Sequence, residues 1–395
     1  MELNEKQKQG LDIAVDRYFR GERYTVIAGY AGTGKSTLVK FIISALGVRD
    51  EDVVYTSFTG KATQVLAKKG NKNTLTLHKL LYESHPKPDG TYIRIPVPDI
   101  PYRVVVVDEI SMVPKTLVEQ LAKYKVHVIC LGDPFQLPPI NKNEDNHLLD
   151  NPHIFLDEIM RQDEESEIID LTMKIRKGLP LENFKGKEVQ VLSKNELTTG
   201  MLQWADQILV ATNDTRKYIN SQMRKLLGHG DEPEDGDKVI CCRNYWDVDS
   251  EDPLVNGAIG YLKNSYESFV MIPGFLNRLD WMKPRRVNTL NCDFIEESGI
   301  RYLNLQMDKN MILTGEKTLD WKTEYAIGKN KEFKHLLPYE FTYGYAITTH
   351  RAQGSEWDKV LVIEEKFPFN KEEHARWLYT ACTRASKKLV VIRAE

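Results

Sequence analysis

The stretch "YTVIAGYAGTGKSTLVKF", residues 24–41, decides the reading of this chain. Its first five residues are apolar and partly β-branched, which predicts a short buried parallel strand. Gly29, Gly34, Lys35 and Ser36 then fall on the full G-x-x-x-x-G-K-[ST] spacing. "STLVKFIISAL" follows, with apolar residues at helical spacing. Strand, glycine loop and helix, in that order, is the context in which this spacing holds phosphate. Glycines let backbone N–H groups turn inward, and the helix N-terminus favours negative charge. Gly29, Gly32, Thr33 and Gly34 are expected to form the cradle, with Thr37 beside it in the helix. Lys35 is expected to reach the β- and γ-phosphates and Ser36 to ligate Mg²⁺.

A loop of this kind needs an acidic partner. "YRVVVVDEISM", 102–112, supplies it: four valines predict a buried strand, and two carboxylates stand at its C-terminal end. Ligands of open α/β sheets bind at that end of the strands. Asp108 is expected to ligate Mg²⁺, and Glu109 to act as base toward an attacking water. A second apolar strand, "VHVICLGD", 126–133, leads into "PFQLPPI". Gln136 there is placed to sense a γ-phosphate or to position water.

The chain has 395 residues, 41% hydrophobic and 28% charged, which suits several globular domains. No apolar run approaches the roughly 18 residues that span a bilayer. The polar start "MELNEKQKQG" is unlike a signal peptide. Five cysteines lack metal-ligand spacing. A reducing, cytoplasmic setting is therefore expected, without membrane association. The net charge of −3 neither demands nor excludes nucleic acid, since a local basic groove can hold a polyanion.

In order along the chain, further segments resemble the motifs of superfamily 1 helicases, in the 5′-to-3′ branch with RecD-like and phage Dda-like enzymes. "LNEKQKQGLD" resembles the adenine-reading segment, with Gln7 in the glutamine position. "TSFTGKATQVL" (56–66) resembles motif Ia, and "TLTLHKLL" (74–81) the next DNA-contacting motif. "VVVVDEISM" resembles motif II, "LGDPFQLPPI" motif III and "LDEIMRQ" (156–162) motif IV. "ILVATNDTRKYIN" (208–220) resembles the opening of a second motor domain, and "VNGAIG" (255–260) the lead into its insertion. "TYGYAITTHRAQGSEWDKVLV" is similar to motif V and "LYTACTRASKKLVVI" to motif VI. Phe58 stands where motif Ia usually has proline, and Met160 where many relatives of the other branch carry an adenine-stacking tyrosine.

The resemblance implies ATP, with Mg²⁺, as the nucleotide. It implies arginine fingers at Arg161 and Arg384, and Gln353 and Glu356 as links between nucleotide and DNA track. It implies nucleic-acid contacts at Thr59, Lys61, Thr76, His78, Asn213, Thr349 and His350, while Phe58 either stacks on a base or packs in the core. The fold implied is α/β, with two RecA-like motor domains: 1–165, and 166–252 resuming at 338–395. An SH3-like β insertion is expected over 253–337, where helical periodicity is weak. A hairpin insertion at 82–101, turning at Pro88-Asp89-Gly90, is expected to form a strand-separating wedge. Tyr92 in it is expected either to stack on a base or to pack the hairpin.

The activity implied is ATP-dependent 5′-to-3′ translocation on single-stranded DNA with unwinding of forked duplex. The alternatives are a translocase that displaces bound proteins, an RNA helicase and a nucleotide-gated clamp. A monomer is expected, in a bacterial or phage-infected cell, working with single-strand-binding or replication proteins.

Overall fold

Alternating apolar residues of the first sheet face two separate cores in the computed structural model. The structure describes residues 3–86, 92–139, 141–158, 166–245, 248, 253–280, 282–330, 332–366 and 370–394. Six strands form the first sheet in the order Thr74–Thr76, Val53–Ser57, Val104–Val107, His127–Gly132, Tyr24–Gly29, Ile154–Leu156. All their pairings are parallel. Val26, Val54, Val105, Val107 and Val128 pack on one side, with Leu77, Leu81, Leu117 and Leu121. Ile27, Val53, Val104, Val106 and Ile129 pack on the other, with Leu38, Val39, Ile42 and Leu46 of the helix Lys35–Leu46. The period of two puts consecutive side chains on opposite faces, so a sheet covered on both sides needs continuously apolar strands. Because the strands are parallel, Gly29, Asp108 and Asp133 emerge at one edge from three adjacent strands.

A second sheet contains the parallel strands Gln207–Val210, Trp357–Ile363, Ala385–Ile392 and Val189–Leu192, with Phe184–Lys185 antiparallel at its edge. The helix Lys371–Cys382 runs into this sheet through Arg384. Its six consecutive residues from Trp377 to Cys382 are buried. A helix end buried all round must satisfy its polar groups within the protein.

The chain divides into two compact units. The first comprises Met1–Tyr82, Pro96–Ala211 and Thr349–Glu395, the second Glu83–Ile95 and Thr212–Thr348. The second unit is built on a five-stranded antiparallel sheet ordered Arg301–Asp308, Arg285–Glu296, Ile259–Ile272, Lys238–Cys241, Phe341–Tyr343. The β insertion expected over 253–337 is thus extended by a strand on either side of it. The segment also holds helices Lys309–Thr314 and Trp321–Gly328, which the weak helical periodicity did not announce. Ala326 and Ile327 of the second helix pack with Val270, Ile272 and Val287 of the sheet. Short helices whose apolar residues serve a sheet carry too few turns to show a period.

Strands Tyr82–Pro86 and Tyr92–Pro96 pair as a two-stranded hairpin where the insertion was expected. Its turn at Pro88-Asp89-Gly90 lies outside the described residues, as do Met160 and Arg161.

Candidate nucleotide and nucleic-acid site

The phosphate loop is bounded by the strand Tyr24–Gly29 and the helix Lys35–Leu46. Gly32 and Gly34 have φ of 79° and 78°, the left-handed region where glycine bears no Cβ penalty. Gly34 caps the helix without a side-chain bond, which leaves the first-turn N–H groups of Lys35, Ser36 and Thr37 free of a capping side chain. The Lys35 ammonium donates to the carbonyls of Gly29 (2.6 Å) and Tyr30 (2.9 Å), and the buried Thr33 hydroxyl donates to Tyr30 O (2.9 Å). The Arg176 guanidinium lies 3.4 Å above the Tyr30 ring.

Gln7 is buried, and both ends of its amide are used. Its oxygen accepts from Asn4 N, closing a capping box on the helix Glu5–Phe19, and its nitrogen donates to Thr33 O at 3.2 Å. The glutamine expected to read adenine thus also tethers the phosphate loop.

Three carboxylates surround this loop. Asp108 is half-buried, and burial together with Glu109 pushes its carboxyl up to about 6, against the pull of Lys35. Its Oδ1 accepts from the Glu109 N–H at 3.0 Å. Burial also raises Asp133, while Lys35 and a hydrogen bond from Tyr379 lower it. Glu109 has φ of 53°. A non-glycine residue in that region costs about 1 to 3 kcal/mol, and such residues cluster at functional sites.

Gln136 is buried between Glu109 and Arg384. In the amide orientation that satisfies both atoms, its nitrogen donates to Glu109 Oε2 (3.1 Å) and its oxygen accepts from Arg384 Nη2 (3.2 Å). Arg384 is itself buried and donates to Thr380 O, Ser355 O and Thr383 Oγ1. Gln353, also buried, donates to Leu137 O at 2.9 Å. Glu356 is exposed, with no hydrogen bond into this network among the described residues.

Thr59 and Thr76 have a local role in addition to any contact with a ligand. Each caps a helix, accepting from Ala62 N and Lys79 N respectively. Lys61 lies in the first turn of the helix Gly60–Lys68. Phe58 packs against the core, with the His78 ring 5.8 Å away. Thr349 is buried, and burial lowers the pKa of His350 beside it. The helix Gly60–Lys68 meets motif V at Gly354. A Cβ at Gly354 would stand 2.8 Å from the Ala62 Cβ and 3.5 Å from Thr59 Oγ1, and its φ is +75°. Only glycine allows that approach. Asn213 opens the helix Asn213–Leu227 of the second unit, its side chain accepting from Arg216. Tyr92 lies in the returning strand of the hairpin.

Sequence reading missed Tyr379 and Thr380. Both lie inside the quoted motif VI stretch, where only Arg384 was singled out. The Tyr379 hydroxyl donates to Asp133 Oδ2 at 2.6 Å and accepts from Ala31 N at 3.2 Å. Thr380 Oγ1 accepts from Leu137 N at 3.0 Å.

Family models match at both ends of the chain: an AAA domain over residues 2–196, and a UvrD-like helicase C-terminal domain over 343–392. The chain is 25% identical to the ATP-dependent RecD2 DNA helicase of Deinococcus radiodurans, over 97% of this chain and 48% of that protein. It is 29% identical to the ATP-dependent DNA helicase dda of Enterobacteria phage T4, over 45% of this chain and 43% of that protein. It thus spans about half the length of RecD2. The fold is shared with the Pif1 helicase from Bacteroides, solved with ADP-AlF3 and single-stranded DNA, at a TM-score of 0.53 and 15% identity, covering 100% of this chain and 95% of that one. Phosphate loop, paired carboxylates, buried glutamine and motif VI arginine converge on one sheet edge, and with these likenesses they support a superfamily 1 helicase of the RecD-like branch.

Proposed function

We propose that the chain is an ATP-driven motor that moves 5′ to 3′ on single-stranded DNA and separates forked duplex. One observation carries this reading: the nucleotide residues are joined to the nucleic-acid motifs by an unbroken series of contacts. Glu109 bonds to Gln136, and Leu137 beside it is held by Gln353. Gly354 follows, resting on the helix that Thr59 caps. A hydrolysis site with no nucleic-acid task would not need that path.

On this reading Lys35 exchanges the carbonyls of Gly29 and Tyr30 for phosphate oxygens. Glu109 accepts the proton of the attacking water, Gln136 orients that water, and Arg384 stabilises the charge that develops on the transferred phosphoryl group. Ser36 and Asp108 would hold Mg²⁺. The donor set fits: one half-buried carboxylate and one hydroxyl suit an ion that arrives with nucleotide phosphates. When bound, the ion would neutralise phosphate charge. Arg161 is proposed as a second finger by its motif alone. The motor domains are proposed at 1–165 and 166–252 with 338–395, the insertion at 253–337. Single-strand-binding or replication proteins are the proposed partners.

The test is unwinding of forked duplexes bearing either a 5′ or a 3′ single-stranded tail. Strand separation is expected with the 5′ tail, only with ATP, and not with the Lys35→Ala protein. Separation of 3′-tailed substrate alone would reverse the polarity, and separation without ATP would remove the motor.

A further inference from the structure

We infer that Tyr379 and Thr380 are positioning residues that clamp the loop 133–137 and so aim Gln136 at the reacting phosphate. This rests on the ATP-hydrolysing reading above. The loop is held at almost every residue by the helix Lys371–Cys382. The Tyr379 hydroxyl donates to Asp133 Oδ2. Arg376 donates to Pro134 O at 3.3 Å. The Phe135 ring meets the Tyr379 ring edge-on, with centroids 5.2 Å apart. Thr380 Oγ1 accepts from Leu137 N, while Gln353 donates to Leu137 O from the other side. The Asp133 carboxylate adds an inner tie by accepting from Phe135 N at 2.9 Å. The Gln136 side chain is turned toward Glu109 and Arg384.

The same hydroxyl reaches the phosphate loop, because Tyr379 Oη accepts from Ala31 N. One buried phenol therefore joins three segments: phosphate loop, loop 133–137 and the helix that leads to Arg384. Asp133 and Tyr379 are both deeply buried, where a hydrogen bond is strong and its loss leaves an unpaired group. A rigid mount matters because a misplacement of about 1 Å in a catalytic group costs about 10²-fold.

The experiment measures steady-state ATP hydrolysis, with saturating single-stranded DNA, for Tyr379→Phe, Gln136→Ala and the double variant. Tyr379→Phe removes one oxygen and keeps the ring. A fall in kcat of about tenfold is expected, the worth of one buried hydrogen bond. KM for ATP should change less than about twofold, because Lys35 and the first-turn N–H groups of Lys35, Ser36 and Thr37 are untouched and only the Ala31 N–H loses a partner. In the Gln136→Ala background the same change should cost almost nothing more, since Tyr379 acts through Gln136. A purely structural role would add its cost in both backgrounds.

Thr380→Val removes the other hydroxyl at nearly constant volume and carries the same test should Tyr379→Phe fail to fold. Wild-type kcat in the single variants, a KM-only effect, or additivity with Gln136→Ala would each overturn the inference. Failure of the underlying reading looks different: the unaltered protein would then hydrolyse no more ATP than Lys35→Ala.

Discussion

Arg384→Ala is expected to lower kcat for ATP hydrolysis by about 10³- to 10⁵-fold while KM for ATP moves severalfold at most. An arginine that meets the transferred phosphoryl group contributes on that scale. The preference for kcat follows from when the contact forms: charge develops in the transition state, so an interaction made only there leaves ground-state affinity alone. Geometry supports the assignment. Three hydrogen bonds to Thr380, Ser355 and Thr383 fix the guanidinium, and Nη2 lies 3.2 Å from the Gln136 amide oxygen. A charge held this way needs little reorganisation during the reaction. Truncation also removes the Arg384 donor from the Ser355 carbonyl, at about 1 to 3 kcal/mol if it stays dry, whereas Thr380 O keeps the Thr383 hydroxyl as a donor. Arg384→Lys separates the two effects. It should recover part of the thermal stability but little of the rate, because an ammonium lacks the guanidinium fork. Steady-state kinetics and thermal melting of both variants check this. A rise in KM at constant kcat would make Arg384 a ground-state ligand.

Glu109→Gln is expected to keep nucleotide affinity and lose about 10² to 10⁴ in the rate of hydrolysis, the usual worth of a general base. The two adjacent carboxylates have different surroundings. Asp108 is half-buried and tied by the Glu109 backbone N–H, a bond the substitution leaves in place. The Glu109 side chain instead faces Gln136. A glutamine at 109 keeps the shape and still accepts a hydrogen bond, but it cannot take up a proton. Equilibrium binding of a fluorescent ATP analogue and single-turnover hydrolysis separate the two properties. If binding collapses while turnover per bound nucleotide is unchanged, the roles given to Asp108 and Glu109 are wrong.

What was legible in the sequence was what neighbouring residues encode. The phosphate loop needs backbone freedom and a helix start, and Gly29 to Ser36 state both in eight consecutive positions. The Val104–Val107 strand announces its burial by an unbroken apolar run, and its end locates Asp108 and Glu109.

Tertiary structure alone decided the partners. Tyr379 and Asp133 are 246 residues apart, Gln353 and Leu137 are 216 apart, and no local period relates either pair. Strand order likewise follows from packing: Val104–Val107 lies beside Val53–Ser57 and His127–Gly132, and this sets Asp108 beside Asp133 at one edge. Double duty is also invisible in the chain. Gln7 bonds the phosphate loop while closing a capping box, and Thr59 caps the helix that Gly354 rests on. A side chain's hydrogen-bonding capacity is written in its chemistry. Which groups satisfy it depends on how distant strands and helices bury one another, because a buried polar group must take its partner from whatever the packing brings within about 3 Å.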